Sequence, residues 1–255
     1  MSQKPPWGQH FLRDPHVVNR IAQSVVTSPG DFVIEIGPGR GVLTRQLLAR
    51  GARVTAIEID PTLVTLLNKE LSKDDNFEVI NANVLNVDLS VLIAHRTEGT
   101  ATVAGNLPYY ITSPILKKIF DTENKIVRAI LLMQKEVADR VIASPKTSGY
   151  SFLSVFCGLH SETRHLFKVP ARAFRPPPKV TSTVVEFKFS NKNKPDPEFL
   201  NFVKICFRHR RKTLLNNLSS YYDRSFLSGL SGIHNRAQQL SIKDLYALWE
   251  IVKSI

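Results

Sequence analysis

Cysteine, methionine and tryptophan are scarce in this chain, at two residues each among 255. Cys157 and Cys206 both stand among apolar neighbours and lack the paired spacing of a zinc site, so they read as reduced, buried thiols. The seven histidines form no metal triad and no Ser/Cys–His–Asp grouping follows from their spacing, so no metal is expected. Long apolar runs are absent too: none approaches the roughly 18 residues that a membrane span needs, and Met1 to Lys4 opens polar rather than as a secretion signal. The expectation is a soluble, cytoplasmic monomer with no membrane partner. Acidic residues are few, 22 against 34 Lys and Arg, which gives a net charge of +12 and a pI near 9.8. Such an excess favours a polyanionic partner, nucleic acid first, although it also serves solubility alone.

Short apolar runs alternate with amphipathic stretches through the first three-quarters of the chain, the pattern of an α/β fold. Strands are predicted at Phe32 to Ile36, Arg53 to Ile59, Phe77 to Ile80, Ala101 to Gly105, Ala129 to Met133, Arg164 to Val169 and Thr181 to Phe189. Helices are predicted at Val42 to Arg50, Pro61 to Leu71, Ser113 to Phe120 and Lys135 to Ala143. Ser190 to Pro197 is polar, proline-flanked and without apolar periodicity, and reads as a linker. Beyond it, Phe199, Phe202, Val203, Cys206 and Phe207 form a helical stripe, as do Ile242, Leu245, Tyr246, Trp249 and Val252. Ser241 and Asp244 make a capping box for the last helix. Two domains follow: residues 1–189 with the chemistry, and a helical C-terminal domain, 190–255.

The first predicted strand runs into Gly37-Pro38-Gly39-Arg40-Gly41 and then a helix. Glycines there let the backbone turn sharply and approach a ligand, with helix N–H groups facing it. The second strand ends near Glu58, where a carboxylate can accept from ribose hydroxyls. The spacing is Glu-x-Gly-x-Gly-x-Gly, and Val42 occupies the place of the last glycine in a dinucleotide G-x-G-x-x-G. An adenosine-containing cofactor other than a dinucleotide fits better, though a tight structural turn is also compatible with this loop alone.

Asn106-Leu107-Pro108-Tyr109 leaves the fourth predicted strand at the carboxyl edge of the sheet, where open α/β folds bind ligands. An aromatic amine is a poor nucleophile because its lone pair is delocalised. Two acceptors aimed at its N–H groups, the Asn106 side-chain oxygen and the Pro108 carbonyl, can turn that lone pair toward an electrophilic methyl. Tyr109 can stack on the base and hold it in line. Basic residues concentrate in two acid-free stretches, Thr163 to Val185 and Phe199 to Tyr222, as expected of phosphate-binding surfaces.

These motifs together resemble the KsgA-type adenine-N6,N6-dimethyltransferases of small-subunit ribosomal RNA. The matching segments run in order along the chain: Gly8 to Leu12, Glu35 to Gly41, Glu58, Asn106 to Tyr109, Gln134 to Arg140, Phe174 to Val180 and Arg210 to Leu214. The resemblance implies a Rossmann-like class I methyltransferase sheet with a small all-helical C-terminal domain. It implies S-adenosyl-L-methionine as cofactor, and dimethylation of two adjacent adenosines in a hairpin loop near the 3′ end of small-subunit RNA within a pre-ribosomal particle. By position it implies cofactor contacts at His10, Leu12, Gly37, Gly39, Glu58, Asn83 and Asn106. Catalytic positions are Asn106, Leu107, Pro108, Tyr109 and Phe174, the last stacking on the target base opposite Tyr109. Leu107, uncharged and flexible, leaves room for a first methyl. RNA contacts are expected from Arg175, Lys179, Arg208, Arg210, Arg211 and Lys212. His10 stands where many members carry Asn, and Asn83 where an Asp usually accepts from the cofactor's adenine amine. The other readings are a macrolide-resistance methyltransferase of large-subunit RNA, a non-catalytic RNA-binding relative and, disfavoured by Val42, a nicotinamide oxidoreductase.

Overall fold

The computed structural model describes residues 10–122, 124–189 and 195–254. In chain order these form β1 (Phe11–Leu12), α1 (Pro15–Val25), β2 (Phe32–Ile36), α2 (Val42–Leu48), β3 (Arg53–Glu58), α3 (Pro61–Leu71), β4 (Phe77–Asn81), α4 (Leu89–Arg96), β5 (Ala101–Asn106), α5 (Thr112–Asp121), β6 (Ile126–Gln134) and α6 (Lys135–Val141). There follow α7 (Phe152–His160), β7 (Ser161–Val169), β8 (Phe174–Arg175), β9 (Ser182–Phe189), α8 (Pro197–Cys206), α9 (Leu214–Leu218), α10 (Arg224–Ser228) and α11 (Ile242–Lys253). Two elements that periodicity did not suggest, α1 and α4, begin where Asp14 and Asp88 accept from the first free helix N–H groups. No helix among the described residues is long and apolar enough to cross a membrane.

Seven strands make one sheet in the order β4-β3-β2-β5-β6-β9-β7. From β4 to β6 the neighbours are parallel, and β9 adds antiparallel to β6. Every residue of β2 is buried, as a central parallel strand covered on both faces requires. The chain order reverses between β2 and β5, which opens a crevice at the carboxyl ends of these strands. A separate two-stranded ribbon pairs β1 with β8, Phe11 opposite Arg175 and Leu12 opposite Phe174.

By their contacts the residues fall into two compact units. The first holds the described residues up to Ala138 and 164–189; the second holds 139–163 and 195–254. This departs from a single boundary at 189/190. Tyr150 and Val155 belong to the same apolar cluster as Phe199, Phe202, Leu214 and Trp249, so the segment around α7 completes the helical core. Phe152 to His160 is apolar almost throughout, so it carries little amphipathic periodicity from which a helix could be predicted. Of the expected linker, 190–194 lie outside the described residues, while Asp196 and Pro197 are the cap and first residue of α8. Both predicted C-terminal stripes are buried except at Ile242, which is half-buried, and at Tyr246, which is 47% exposed because Leu248 turns inward instead. The capping box at Ser241 and Asp244 is present, and both cysteines are free and buried, their thiols pushed up by burial.

Candidate active site

Between β2 and α2 the three glycines all adopt left-handed backbone, with φ of +67° at Gly37, +58° at Gly39 and +72° at Gly41. A Cβ on Gly39 would stand 3.1 Å from the Phe11 ring, and one on Gly41 only 2.6 Å from Leu67. Side chains are excluded at both places on conformational and steric grounds. The turn leaves the Gly39 N–H to donate to Glu58 Oε2 at 3.1 Å, while the Asp60 N–H donates to Oε1 at 3.1 Å. Glu58 is buried, and burial raises its pKa against the opposing pull of those N–H donors. Glu35 lies deeper and accepts the Thr44 hydroxyl at 2.7 Å. Burial pushes its carboxyl up to about 7; Thr44 opposes this and the negative Glu58 adds to it.

Asn106 ends β5, and its Nδ2 donates to the His10 carbonyl at 2.9 Å. The amide is thereby oriented and its Oδ1 is left to accept. His10 Nδ1–H donates in turn to the Pro176 carbonyl at 2.8 Å, and its ring stacks on Tyr109 with centroids 5.7 Å apart. The Tyr109 hydroxyl is 2.7 Å from Ser182 Oγ, and burial raises its pKa while Ser182 lowers it. The Pro108 carbonyl already accepts from the Ile111 N–H and the Thr112 hydroxyl, both at 3.2 Å. Leu107 is buried and its N–H is held by the Leu132 carbonyl at 3.0 Å.

A cavity of about 1170 Å³ gathers these groups. Of the residues singled out from sequence, His10, Leu12, Gly37, Gly39, Glu58, Asn83, Asn106, Leu107, Pro108, Tyr109 and Arg175 line it. Asn83 uses its Oδ1 to accept from the Leu85 N–H at 3.0 Å, capping the short turn after β4. Phe174 is not brought to the cavity, contrary to expectation. Its backbone pairs with Leu12, and its side chain, 3% exposed, is buried in an apolar cluster with Leu12, Val18 and Ile21. Lys179 is exposed and does not line the cavity.

The remaining basic residues belong to the helical unit, in the turn between α8 and α9. Arg208 donates to the Tyr221 hydroxyl at 2.8 Å. Arg210 donates to the carbonyls of Ser148 and Tyr150, at 2.5 and 3.2 Å, so it ties backbone rather than standing clear for phosphate. Arg211 and Lys212 are exposed. No group of His, Cys, Asp and Glu able to hold a metal ion occurs among the described residues. Ser182, Thr44 and Arg13 border the site without having been singled out; the first meets Tyr109 across 73 residues of chain, a pairing no local motif announces.

The reversed strand order, the glycine turn after β2 and the carboxylate closing β3 define a Rossmann-like class I methyltransferase. The sequence matches the family of ribosomal RNA adenine dimethylases over residues 1–254. It is 38% identical over 254 residues to ribosomal RNA small subunit methyltransferase A of Prosthecochloris aestuarii, covering 99% of this chain and 95% of the relative. Against the protein of the same name from Deinococcus radiodurans it is 44% identical over 212 residues, 83% of this chain and 70% of the other. Among solved structures, a dimethyladenosine transferase from Plasmodium falciparum superposes with a TM-score of 0.80 at 26% identity, covering 96% of this chain and 98% of that one. The 23S rRNA methyltransferase ErmE superposes at 0.72 with 29% identity, over 95% and 99% of the two chains. The chain belongs to the ribosomal RNA adenine dimethylase family.

Proposed function

We infer that this protein uses S-adenosyl-L-methionine to dimethylate N6 of two adjacent adenosines in a hairpin loop near the 3′ end of small-subunit ribosomal RNA. It acts as a cytoplasmic monomer on a pre-ribosomal particle, as a step of small-subunit biogenesis. The observation that carries the reading is the Asn106 amide, fixed through Nδ2 to the His10 carbonyl so that Oδ1 is the open acceptor beside the Tyr109 ring. Relatives named as small-subunit methyltransferases support the choice of RNA.

The residues present fit the cofactor. A left-handed glycine turn, in which Gly37 and Gly39 line the cavity without side chains, gives backbone access, and two buried carboxylates, Glu35 and Glu58, suit ribose hydroxyls and a cationic methionine moiety. When bound, S-adenosylmethionine supplies an electrophilic methyl on a sulfonium. Gly37, Gly39, Glu58 and Asn83 would hold it at the carboxyl edge of the sheet. Tyr109 offers a stacking face to the target adenine, and Asn106 Oδ1 accepts one amine N–H so that the nitrogen lone pair turns out of conjugation. The Pro108 carbonyl accepts the second N–H once it releases Ile111 or Thr112. As each methyl arrives the nitrogen becomes cationic and sheds one proton to solvent; after the first transfer a single N–H remains, and Asn106 alone can hold it, which permits a second transfer.

The test is label transfer from tritiated S-adenosylmethionine to unmodified small and large ribosomal subunits, followed by nucleoside digestion. Dimethyladenosine in the small subunit alone is expected, with Asn106→Ala slowing single-turnover transfer about 10²–10³-fold while RNA binding persists. Label confined to the large subunit, or only monomethyladenosine at saturating cofactor, would overturn the reading.

A further inference from the structure

The ribbon of β1 and β8 has two faces of opposite character. Leu12 and Phe174 face each other across it and are buried, while Arg175, opposite the half-buried Phe11, points to the other face, and Arg13, the residue after β1, is exposed beside it. The Arg13 N–H donates to the Ala173 carbonyl at 2.8 Å, which fixes Arg13 beside the turn that carries Arg172. These three arginines edge an open hollow of about 530 Å³, with Asp14, Pro15, His16 and Phe174 completing its wall. The Asp14 carboxylate is committed to the start of α1, accepting from the N–H groups of His16 and Val17 at 3.0 and 3.3 Å. None of the three guanidinium groups has a carboxylate or hydrogen-bonding partner among the described residues.

Like charges held beside one another repel unless an anion lies between them. Arg13 and Arg175 also line the large cavity, so the hollow adjoins the place where the target base is read. We propose that Arg13, Arg172 and Arg175 form the seat for an RNA backbone phosphate next to the target adenosine. The seat holds the sugar–phosphate chain at the cavity mouth while the base occupies the cavity. Guanidinium groups suit this because their planar donor forks match phosphate oxygens. The proposal rests on the reading of the large cavity as the adenine site.

The experiment is binding, by fluorescence anisotropy with S-adenosylhomocysteine present, of a short oligouridylate carrying one central adenosine. It is compared with versions in which the linkage on either side of that adenosine is a neutral methylphosphonate. For the native protein, one neutral linkage should weaken binding about tenfold. In the variant Arg13→Gln/Arg172→Gln/Arg175→Gln the charged RNA should bind about that weakly already, with no further loss from the neutral linkage. Its salt slope should be lower by roughly 0.7 for the lost phosphate, and the corresponding Lys variant should recover most of that slope. An unchanged far-UV circular dichroism spectrum and melting temperature show that the variant is folded. A neutral-linkage penalty equal in both proteins removes the seat while leaving the base pocket intact. Equal binding of an oligouridylate without adenosine removes the pocket, and the seat with it. Competition by inorganic phosphate alone, without any cost from the neutral linkage, assigns the hollow to free phosphate and also overturns the proposal.

Discussion

The Gly39 N–H donates to the Glu58 carboxylate across 3.1 Å, tying the glycine turn to the carboxyl end of β3. The group proposed to hold the cofactor's ribose therefore also holds the loop that the cofactor must approach. Glu58→Ala should weaken S-adenosylhomocysteine binding by about 1.5–3 kcal/mol. Two backbone donors lose their acceptor as well, so stability should fall by about 1–3 kcal/mol. Glu58→Gln keeps an acceptor oxygen and should recover part of both. Calorimetry with urea unfolding checks this, and unchanged affinity in the Ala variant would leave Glu58 a purely structural role.

Glu35 predicts a pH dependence of stability in the ligand-free protein. Its folded pKa is raised from an ordinary 4.5 to about 7, chiefly by burial, so the native state holds a proton that the unfolded chain has released. Its contribution is complete at low pH and is lost as pH rises through about 7. The unfolding free energy should therefore fall by roughly 2–4 kcal/mol between about pH 4.5 and pH 8, and Glu35→Gln should flatten the curve. A native curve that rises over this window would contradict the assignment.

The parts of the site that were legible in sequence are those contained in one strand and the turn after it. Gly37 to Gly41 and Asn106 to Tyr109 each follow a strand marked by a buried apolar run, so motif and position could be read together. The contacts that orient those motifs join distant segments. His10 reaches Pro176 across 166 residues and Asn106 across 96, which no local pattern encodes. Phe174 departs from its expected role for a related reason: the resemblance implies a ring stacked on the target base, but pairing with Leu12 across the chain turns alternate side chains to opposite faces and buries that ring.

Phe174 should accordingly behave as a core residue. Phe174→Ala should destabilise the protein by about 3–5 kcal/mol, and Phe174→Leu, which keeps much of the volume, by much less. Single-turnover transfer by Phe174→Leu at saturating RNA should stay within a few-fold of native. A stable Phe174→Leu protein that loses transfer would restore the stacking role read from sequence.

Tyr109 combines a ring facing the cavity with a hydroxyl held by Ser182 at 2.7 Å. Tyr109→Phe removes only the tether and should reduce the single-turnover rate several-fold. Tyr109→Ala removes the stacking face and should weaken retention of the base by about 1–3 kcal/mol, the range for base–aromatic stacking. Ser182→Ala should reproduce the Phe variant, since both delete the same contact. Equal losses in Phe and Ala variants would show that the hydroxyl, and not the ring, matters.

The cluster from Arg208 to Lys212 should separate into structural and RNA-facing members. Arg210 donates to the carbonyls of Ser148 and Tyr150, joining the α8–α9 turn to the segment before α7 within the helical unit. Both bonds come from one nitrogen, Nη2, so Arg210→Ala should lower the melting temperature, while Arg210→Lys, whose ammonium can also donate to two carbonyls, should recover part of the loss. Neither should change the salt dependence of RNA binding much. Arg211 and Lys212 are exposed in the same turn, where their charge is open to phosphate. Replacing both by Ala should flatten the log–log salt slope by about 1.4–1.8, at roughly 0.7–0.9 per phosphate, with the melting temperature preserved. Single-turnover methyl transfer at saturating RNA should change little in either set, because Asn106 and Tyr109 are untouched. Salt titrations beside thermal melts for the two sets decide the matter. A slope that drops with Arg210→Ala but not with the Arg211/Lys212 double variant would reverse the assignment.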